Sequence, residues 1–480
     1  MVFKGQMRGK ELGKGWKDMD VNIVDNTVDN IQRERNLKTT GQLFSFIQAS
    51  PSPFHAVANM KRELDAHGYV QLLEGEEWRL EEEGKYYVIR NGSALIAFRI
   101  PKRDFLGFQI MASHSDSPSF KIKENPEMDV EGHYVKLNVE KYGGMLCAPW
   151  FDRPLSVAGR VIVRKGSRLV TRLVNVDRDL CMIPNLAIHM NREANEGYKY
   201  NVQKDMLPLY GCGGSGGMFM EEIARAAGVA QEDMIGSDLF LYNRMEGSIW
   251  GAQEEFISIG RLDDLQCAFA SLQAFLEADG GESIPVHCVY DNEEVGSGTK
   301  QGAGSTFLLD TLLRVNEGLG RSPGRYRQAL ASSFMLSADN AHGVHPNYPE
   351  KACPTNRPYL NEGIVIKYSA NQKYTTDGMA AAVFTQICER AGVPVQKFLN
   401  RSDILGGSTL GNISGTQVAL NSVDIGLAQL SMHSPYETGG IKDTDYLIAA
   451  AKEFFRSSVV EIGSGEYRSL TSAPKSTIIR

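Results

Sequence analysis

The sequence lacks most of the features that settle a protein's class at a glance. Its 480 residues include only seven cysteines, scattered and without a CxxC pair. That argues against a local thiol finger and against a disulfide framework, and it fits reduced thiols in a cytoplasm. No apolar run approaches the roughly 18 residues of a membrane span. The opening stretch, MVFKGQMRGKELGKGWKDMD, is basic and then polar, without the apolar core of a secretory signal. Formal net charge is -7, and no run of Lys and Arg is long enough to follow a nucleic-acid backbone. The expectation is a chain with neither membrane nor nucleic acid as a partner. Internal repeats and low-complexity tracts are missing too.

What is present is ordinary globular composition, 42% hydrophobic and 23% charged, in a chain long enough for two domains or one with an insertion. Residues 1–38 are polar and weakly patterned, and read as a flexible or partly helical extension. Helical spacing follows from Thr40, broken at Pro51 and Pro53 and stopped at Gly68. YYVIRNGSALIAFRI reads as a hairpin around Asn91-Gly92, and FLGFQIMAS as a buried strand running up to His114. Residues 39–114 thus form a first part of a main domain. Between 115 and 240 the pattern changes to short alternating strands such as HYVKLNVEKYGG, SVAGRVIVRKG and RLVTRLVNVD, which predict a β-rich insertion. Over 241–480 helices and buried strands alternate again, and DTDYLIAAAKEFFRSSVVEI reads as a closing helix. The fold class this predicts is α/β, with a mixed, mostly parallel sheet flanked by helices.

In such a sheet the chemistry lies just beyond the carboxyl ends of strands. After FLGFQIMAS come His114 and Asp116; after the Ile284–Tyr290 run come Glu293 and Glu294; after SSFMLSA comes Asp339, with His342 and His345 close behind. His433 follows VDIGLAQLSM, and Asp263-Asp264 opens a helix. Each alone has a plainer reading: a solvated histidine, a helix cap, an exposed Glu-Glu pair. Together they gather imidazoles and carboxylates at one sheet edge, an inventory that suits a pair of divalent ions sharing one carboxylate. The adjacent glutamates then fall into place. One can bind metal while its neighbour takes a proton from water, and the metal charge offsets their repulsion.

The stretches ASHSDSPSFKIK, YGGMLCAPWFDRPLSVAGRV, IPNLAIHMNREANEG, FISIGRLDDLQCAF, YDNEEVGSGTKQGAGS, LSADNAHGVHPNY, IVIKYSANQKYTTDG and QLSMHSPYET stand in this order between about residues 40 and 460. As a set they resemble the aspartyl aminopeptidases, co-catalytic zinc exopeptidases related to yeast vacuolar aminopeptidase I. The resemblance implies a zinc exopeptidase-like catalytic domain, 39–114 with 241–480, interrupted by a dimerisation domain at 115–240. It implies homo-oligomers, dodecamers built from dimers, and peptide substrates with a free N-terminus. Two divalent ions are implied, zinc first, with manganese or cobalt as alternatives. One would be held by His114, Asp339 and bridging Asp263, the other by Asp263, Glu294 and His433. Glu293 would be the general base, and Asp116 would orient His114. His189 would reach a neighbouring subunit's site, and His342 would contact substrate. Lys367 and Tyr374 would bind an acidic N-terminal side chain, giving a preference for Asp or Glu. The alternatives are a relative with neutral or broad preference, or a non-catalytic assembled scaffold.

One further motif competes. Gly211–Gly217, GCGGSGG, contains a GxGxxG match. The stretch before it, NVQKDMLPLY, is a poor buried strand, so the match reads as a flexible loop and not as a dinucleotide site.

Overall fold

The computed structural model describes residues 17–471, with side chains from 30 to 470. The expected extension therefore lies partly outside the described residues, and from Lys17 it forms one helix, Lys17–Gln48, that runs straight through position 38. This helix is tied down where Thr39 Oγ1 donates to Asp445 at 2.9 Å and where Leu43 and Ile47 are fully buried. A second helix, Pro53–Ala66, follows with proline at its first position, where no amide donor is needed.

A nine-stranded mixed sheet is the frame. Its centre is four mutually parallel strands in the spatial order Ile284–Tyr290, Phe108–His114, Phe334–Ala338 and Asn421–Gly426. The hairpin Lys85–Arg90 with Ala94–Arg99 adds antiparallel strands on one side, and Ile364–Lys367 adds one on the other. Alternate side chains go to opposite faces. Met111, Val289, Phe334 and Leu336 join a core with the helices Leu262–Glu277, Gly378–Ala391 and Asp443–Arg456. Ile110, Val286, Cys288 and Met335 join another beneath Phe307–Gly318 and Pro323–Ala331. With both faces covered, the strands are mainly apolar, with a few buried polar side chains such as Gln109, His287 and Asp424 within them, and the histidine and carboxylates of the cluster collect where strands end.

A separate six-stranded antiparallel sheet is built from residues between Ser119 and Asn243. Its core packs under the helix Met218–Ala227 through Phe219 and Ile223. The glycine-rich stretch is not a plain loop. It covers the end of the Leu209–Cys212 strand and a 3-10 turn ahead of that helix. A small five-stranded sheet, including Phe256–Ile259, Ala428–Leu430 and Glu437–Gly440, lies beyond the main one. The closing helix stops at Arg456, earlier than expected. SSVVEI instead starts a strand, Ser457–Gly463, paired with Glu466–Thr471, because its adjacent valines and isoleucine favour extended backbone. No described helix is long and apolar enough to cross a membrane.

Candidate active site

The parallel strands end at one edge of the sheet. His114 closes its strand opposite Tyr290. Past Tyr290, Asn292 takes a left-handed φ of 62° and turns the chain into the short helix that carries Glu293 and Glu294. Asp339 directly follows Phe334–Ala338. The small sheet supplies the rest. Its Phe256–Ile259 strand leads through Arg261, φ 64°, into Asp263 and Asp264, whose connecting peptide is cis. Its hairpin turn carries His433 at φ 66°. Left-handed non-glycine residues thus stand beside three of these groups, as they do at many functional sites.

Asp263 is the centre of the cluster. Its Oδ1 lies 3.7 Å from His114 Nε2, and its Oδ2 lies 3.5 Å from His433 Nε2. Glu294 Oε2 is 3.5 Å from the same His433 nitrogen. His114, Asp263, Asp264 and Asp339 present ligand atoms within 4.8 Å of one another, as do Asp263, Glu294 and His433, and as do His114, Glu293 and Glu294. The imidazoles are aimed by their surroundings. His114 Nδ1 lies 3.0 Å from the Asp116 carbonyl oxygen and 3.4 Å from its carboxylate, which leaves Nε2 for the cluster. Glu437 accepts the His433 amide at 2.8 Å and the Asp263 amide at 3.0 Å, and so joins the hairpin to the helix start.

Electrostatics set this edge apart. Burial raises Glu293 to about 8 and Asp339 to about 6, with neighbouring carboxylates adding to the rise. Asp264 and Glu294 are pushed well up for the same reasons. Burial opposes a charge on His114, yet Asp116 and Asp263 outweigh it and hold the imidazole well above its usual range. Asp263 is lowered despite burial, because it faces two imidazoles. Asp263 Oδ1, Asp264 Oδ1 and Glu294 Oε1 are buried without a hydrogen-bond partner. Buried acceptors of this kind are expensive unless a cation meets them. The donor set of imidazole nitrogens and carboxylate oxygens fits zinc or a similar divalent ion.

Of the residues singled out in the sequence, His114, Asp263, Glu293, Glu294, Asp339 and His433 meet in this cluster, with Asp116 behind it. His342 stands at a cavity of about 320 Å³ shared with Phe398, Asn400, Arg401 and Met432. Lys367 does not point to solvent. It is buried, and its ammonium donates to the carbonyls of Asp339 at 2.8 Å and Asn340 at 3.3 Å. It also lies 5.3 Å over the ring of Tyr374. His189 is exposed, in the part of the chain that forms the six-stranded sheet, and is not in the cluster. Sequence reasoning missed Asp264 as a cluster member, Glu437, and the Tyr142 hydroxyl that donates to Asp116 at 2.6 Å. Glu437 stands four residues past His433, inside the stretch QLSMHSPYET, and that placement was its signal.

The family model for the Aminopeptidase I zinc metalloproteases (M18) matches residues 46–455. The chain belongs to the M18 aminopeptidase family. It is 47% identical over 430 residues to the "Probable M18 family aminopeptidase 2" of Clostridium acetobutylicum, covering 88% of this chain and 99% of that protein. A chain in the cryo-EM structure of the Ape4 and Nbr1 complex superposes with a TM-score of 0.83 at 35% identity, over 86% of this chain and 84% of that one. A chain in the structure of the S. cerevisiae mApe1 dodecamer gives 0.76 at 28% identity, over 86% of this chain and 95% of that one. This M18 aminopeptidase is thus a metal-dependent hydrolase of peptides, and the scaffold alternative falls.

Proposed function

We propose that this M18 aminopeptidase removes Asp or Glu from the free N-terminus of peptides, using two divalent ions and Glu293 as general base. The carrying observation is the Asp263 carboxylate, which offers one oxygen toward each imidazole, as a bridging ligand does. His114 and Asp339 would complete one site, and Glu294 and His433 the other. Zinc is the first candidate, with manganese or cobalt as alternatives. Bound there, the ions supply Lewis-acid polarisation of the scissile carbonyl and positive charge against the negative charge that develops on it.

The remaining steps belong to the chain. Glu293 takes the proton of the attacking water and returns it to the leaving amine. Its carboxyl, raised to about 8 by burial, is pulled down toward working pH when cations sit beside it. Asp116 receives the backbone amides of Glu293 and Glu294, each at 3.2 Å, and so holds the base against the ligands. Glu293→Gln should keep its zinc and lose roughly 10²–10⁴-fold in kcat. A variant with near-parental kcat would remove Glu293 from the role of base.

Lys367 supports the acidic preference, as a buried cation beside Tyr374. One observation favours a second reading. The ammonium is already engaged by two carbonyls and lies 3.5 Å from Asp339 Oδ2, so Lys367 could serve to orient Asp339 in an enzyme of neutral or broad preference. Release of Asp, Glu and Leu from matched peptides, in the parent and in Lys367→Met, separates the two. A loss confined to acidic peptides supports the pocket; equal losses on all three support orientation of Asp339.

The same proposal includes a homo-oligomer, a dodecamer built from dimers, in the cytoplasm. Exposed apolar side chains in the 115–240 segment support it, Leu169 at 67% and Met190 at 75% exposure among them. So does the likeness to a chain that forms a dodecamer. His189, one residue before Met190, would then reach a neighbouring subunit's site. Sedimentation of the purified protein tests the assembly, and a monomer with full activity would overturn it. All seven cysteines are free, which suits a reducing compartment.

A further inference from the structure

The strand Tyr134–Tyr142 of the six-stranded sheet ends against the carboxylate cluster of the other sheet. The Tyr142 hydroxyl donates to Asp116 Oδ2 at 2.6 Å and accepts from Asn292 Nδ2 at 2.8 Å. Asn292 is fixed in turn, because its Oδ1 accepts from Thr299 and Gln301, each at 2.8 Å. The chain then continues along the ligands. Gly143, at φ 78°, backs onto Glu294, where an added Cβ would lie 3.1 Å from the Glu294 Cβ. Leu146 donates its amide to the His433 carbonyl at 3.1 Å. One five-residue stretch, Tyr142 to Leu146, therefore touches Glu294 and His433 of one ligand set and Asp116, the residue behind His114 of the other.

We infer that Tyr142 is a positioning residue for the metal centre, the point at which the inserted sheet locks Asp116 and, through it, His114, Glu293 and Glu294. The inference rests on the metal reading above. A carboxylate offers about four acceptor positions and turns freely about its last bond unless several are filled. Asp116 has the Glu293 amide on Oδ1 and the Glu294 amide on Oδ2, both at 3.2 Å, and the phenol is its shortest bond. Removing the hydroxyl leaves two long amide contacts to hold a carboxylate that lies 3.4 Å from His114 Nδ1 and shares its aiming with the Asp116 carbonyl at 3.0 Å. Outer partners of metal ligands commonly matter to affinity by about 10–100-fold.

The test uses the full chain, stripped of metal and titrated with zinc against a competing chelator dye, alongside kcat and KM on a good peptide substrate. Tyr142→Phe should bind zinc roughly 10–100-fold more weakly and lose kcat by a similar factor. KM should stay within about two-fold and the melting temperature within about 3 °C, which a general loss of structure would not allow. Added to Asp116→Asn, the same change should do little more, since both act through one carboxylate. Zinc affinity within about two-fold of the parent, or full additivity with Asp116→Asn, would overturn the inference. If Tyr142→Phe does not fold, Asn292→Ala leaves the phenol without its amide donor. It should weaken zinc several-fold, and unchanged affinity there also overturns the inference. A parent that binds no zinc would instead sink the metal reading, and this one with it.

Discussion

Two buried histidines on adjacent parallel strands mark the difference between the middle of the main sheet and its carboxyl edge. His287 lies within Ile284–Tyr290 and is fully buried. Its ring stacks on Phe275 at 6.0 Å, its Nδ1 meets Ser271 Oγ at 2.8 Å, and its Nε2 has no hydrogen-bond partner. Burial alone pushes it down to about 3, so it is a neutral core residue. His114 is 1% exposed, yet Asp116 and Asp263 hold it well above the usual range. Burial is the same at the two places. Carboxylates that converge from other strand ends are what turn one of them into a site.

The sharpest way to break this comparison is to make the same substitution at both. His114→Gln should lose activity by more than the roughly 10–100-fold typical of losing a ligand's outer partner, with zinc binding falling alongside. His287→Gln should leave kcat and zinc affinity within about two-fold and act on stability alone, by roughly 1–3 kcal/mol for a buried, hydrogen-bonded side chain. Comparable activity losses in the two would mean that the edge has no special standing. A smaller effect is expected at Lys367. Removing one partner of a buried pair costs about 3–5 kcal/mol when the other stays charged. Lys367→Met should therefore destabilise the metal-stripped protein more than the zinc-loaded one, in which, on the proposed ligand assignment, Asp339 would have a second cation. Equal losses in melting temperature with and without zinc would show that Asp339 does not exchange one cation for another.

The edge was legible in the sequence because a strand buried on both faces is mostly apolar until it ends, His287 being an exception. An abrupt His, Asp or Glu-Glu after FLGFQIMAS, SSFMLSA or HCVYDN then signals where the polar side chains are. The same rule does not say which way a polar residue inside such a strand points. Lys367 belongs to a strand buried at every position, so spacing could not distinguish solvent from the cluster. Tyr142 was hidden for another reason. Its partner Asp116 stands 26 residues earlier, and only the fold of the inserted sheet brings a strand end back to it. The SSVVEI strand was misread as helix because no Gly or Pro separates it from Asp443–Arg456.

The smallest effect is one of pH and belongs to the middle of the sheet. In the folded chain His287 titrates at about 3 and in the unfolded chain near its ordinary 6.5. Between those values the unfolded state binds more protons, so stability rises with pH across the window. It is fully present above about 6.5 and is lost as pH falls toward 3, by at most about 1.4 kcal/mol per pH unit. Other groups titrate there as well, His55 in the same direction with a folded value of about 4. The difference between two chains isolates one of them. Urea midpoints at pH 7.5 and 5.0 for the parent and for His287→Gln, both stripped of metal, should show the larger stability gap at pH 7.5. At pH 5.0 the gap should narrow by roughly 2 kcal/mol, since glutamine has no proton to take up. A gap independent of pH would mean that His287 is not held neutral by its surroundings. The contrast with His114 would then rest on geometry alone.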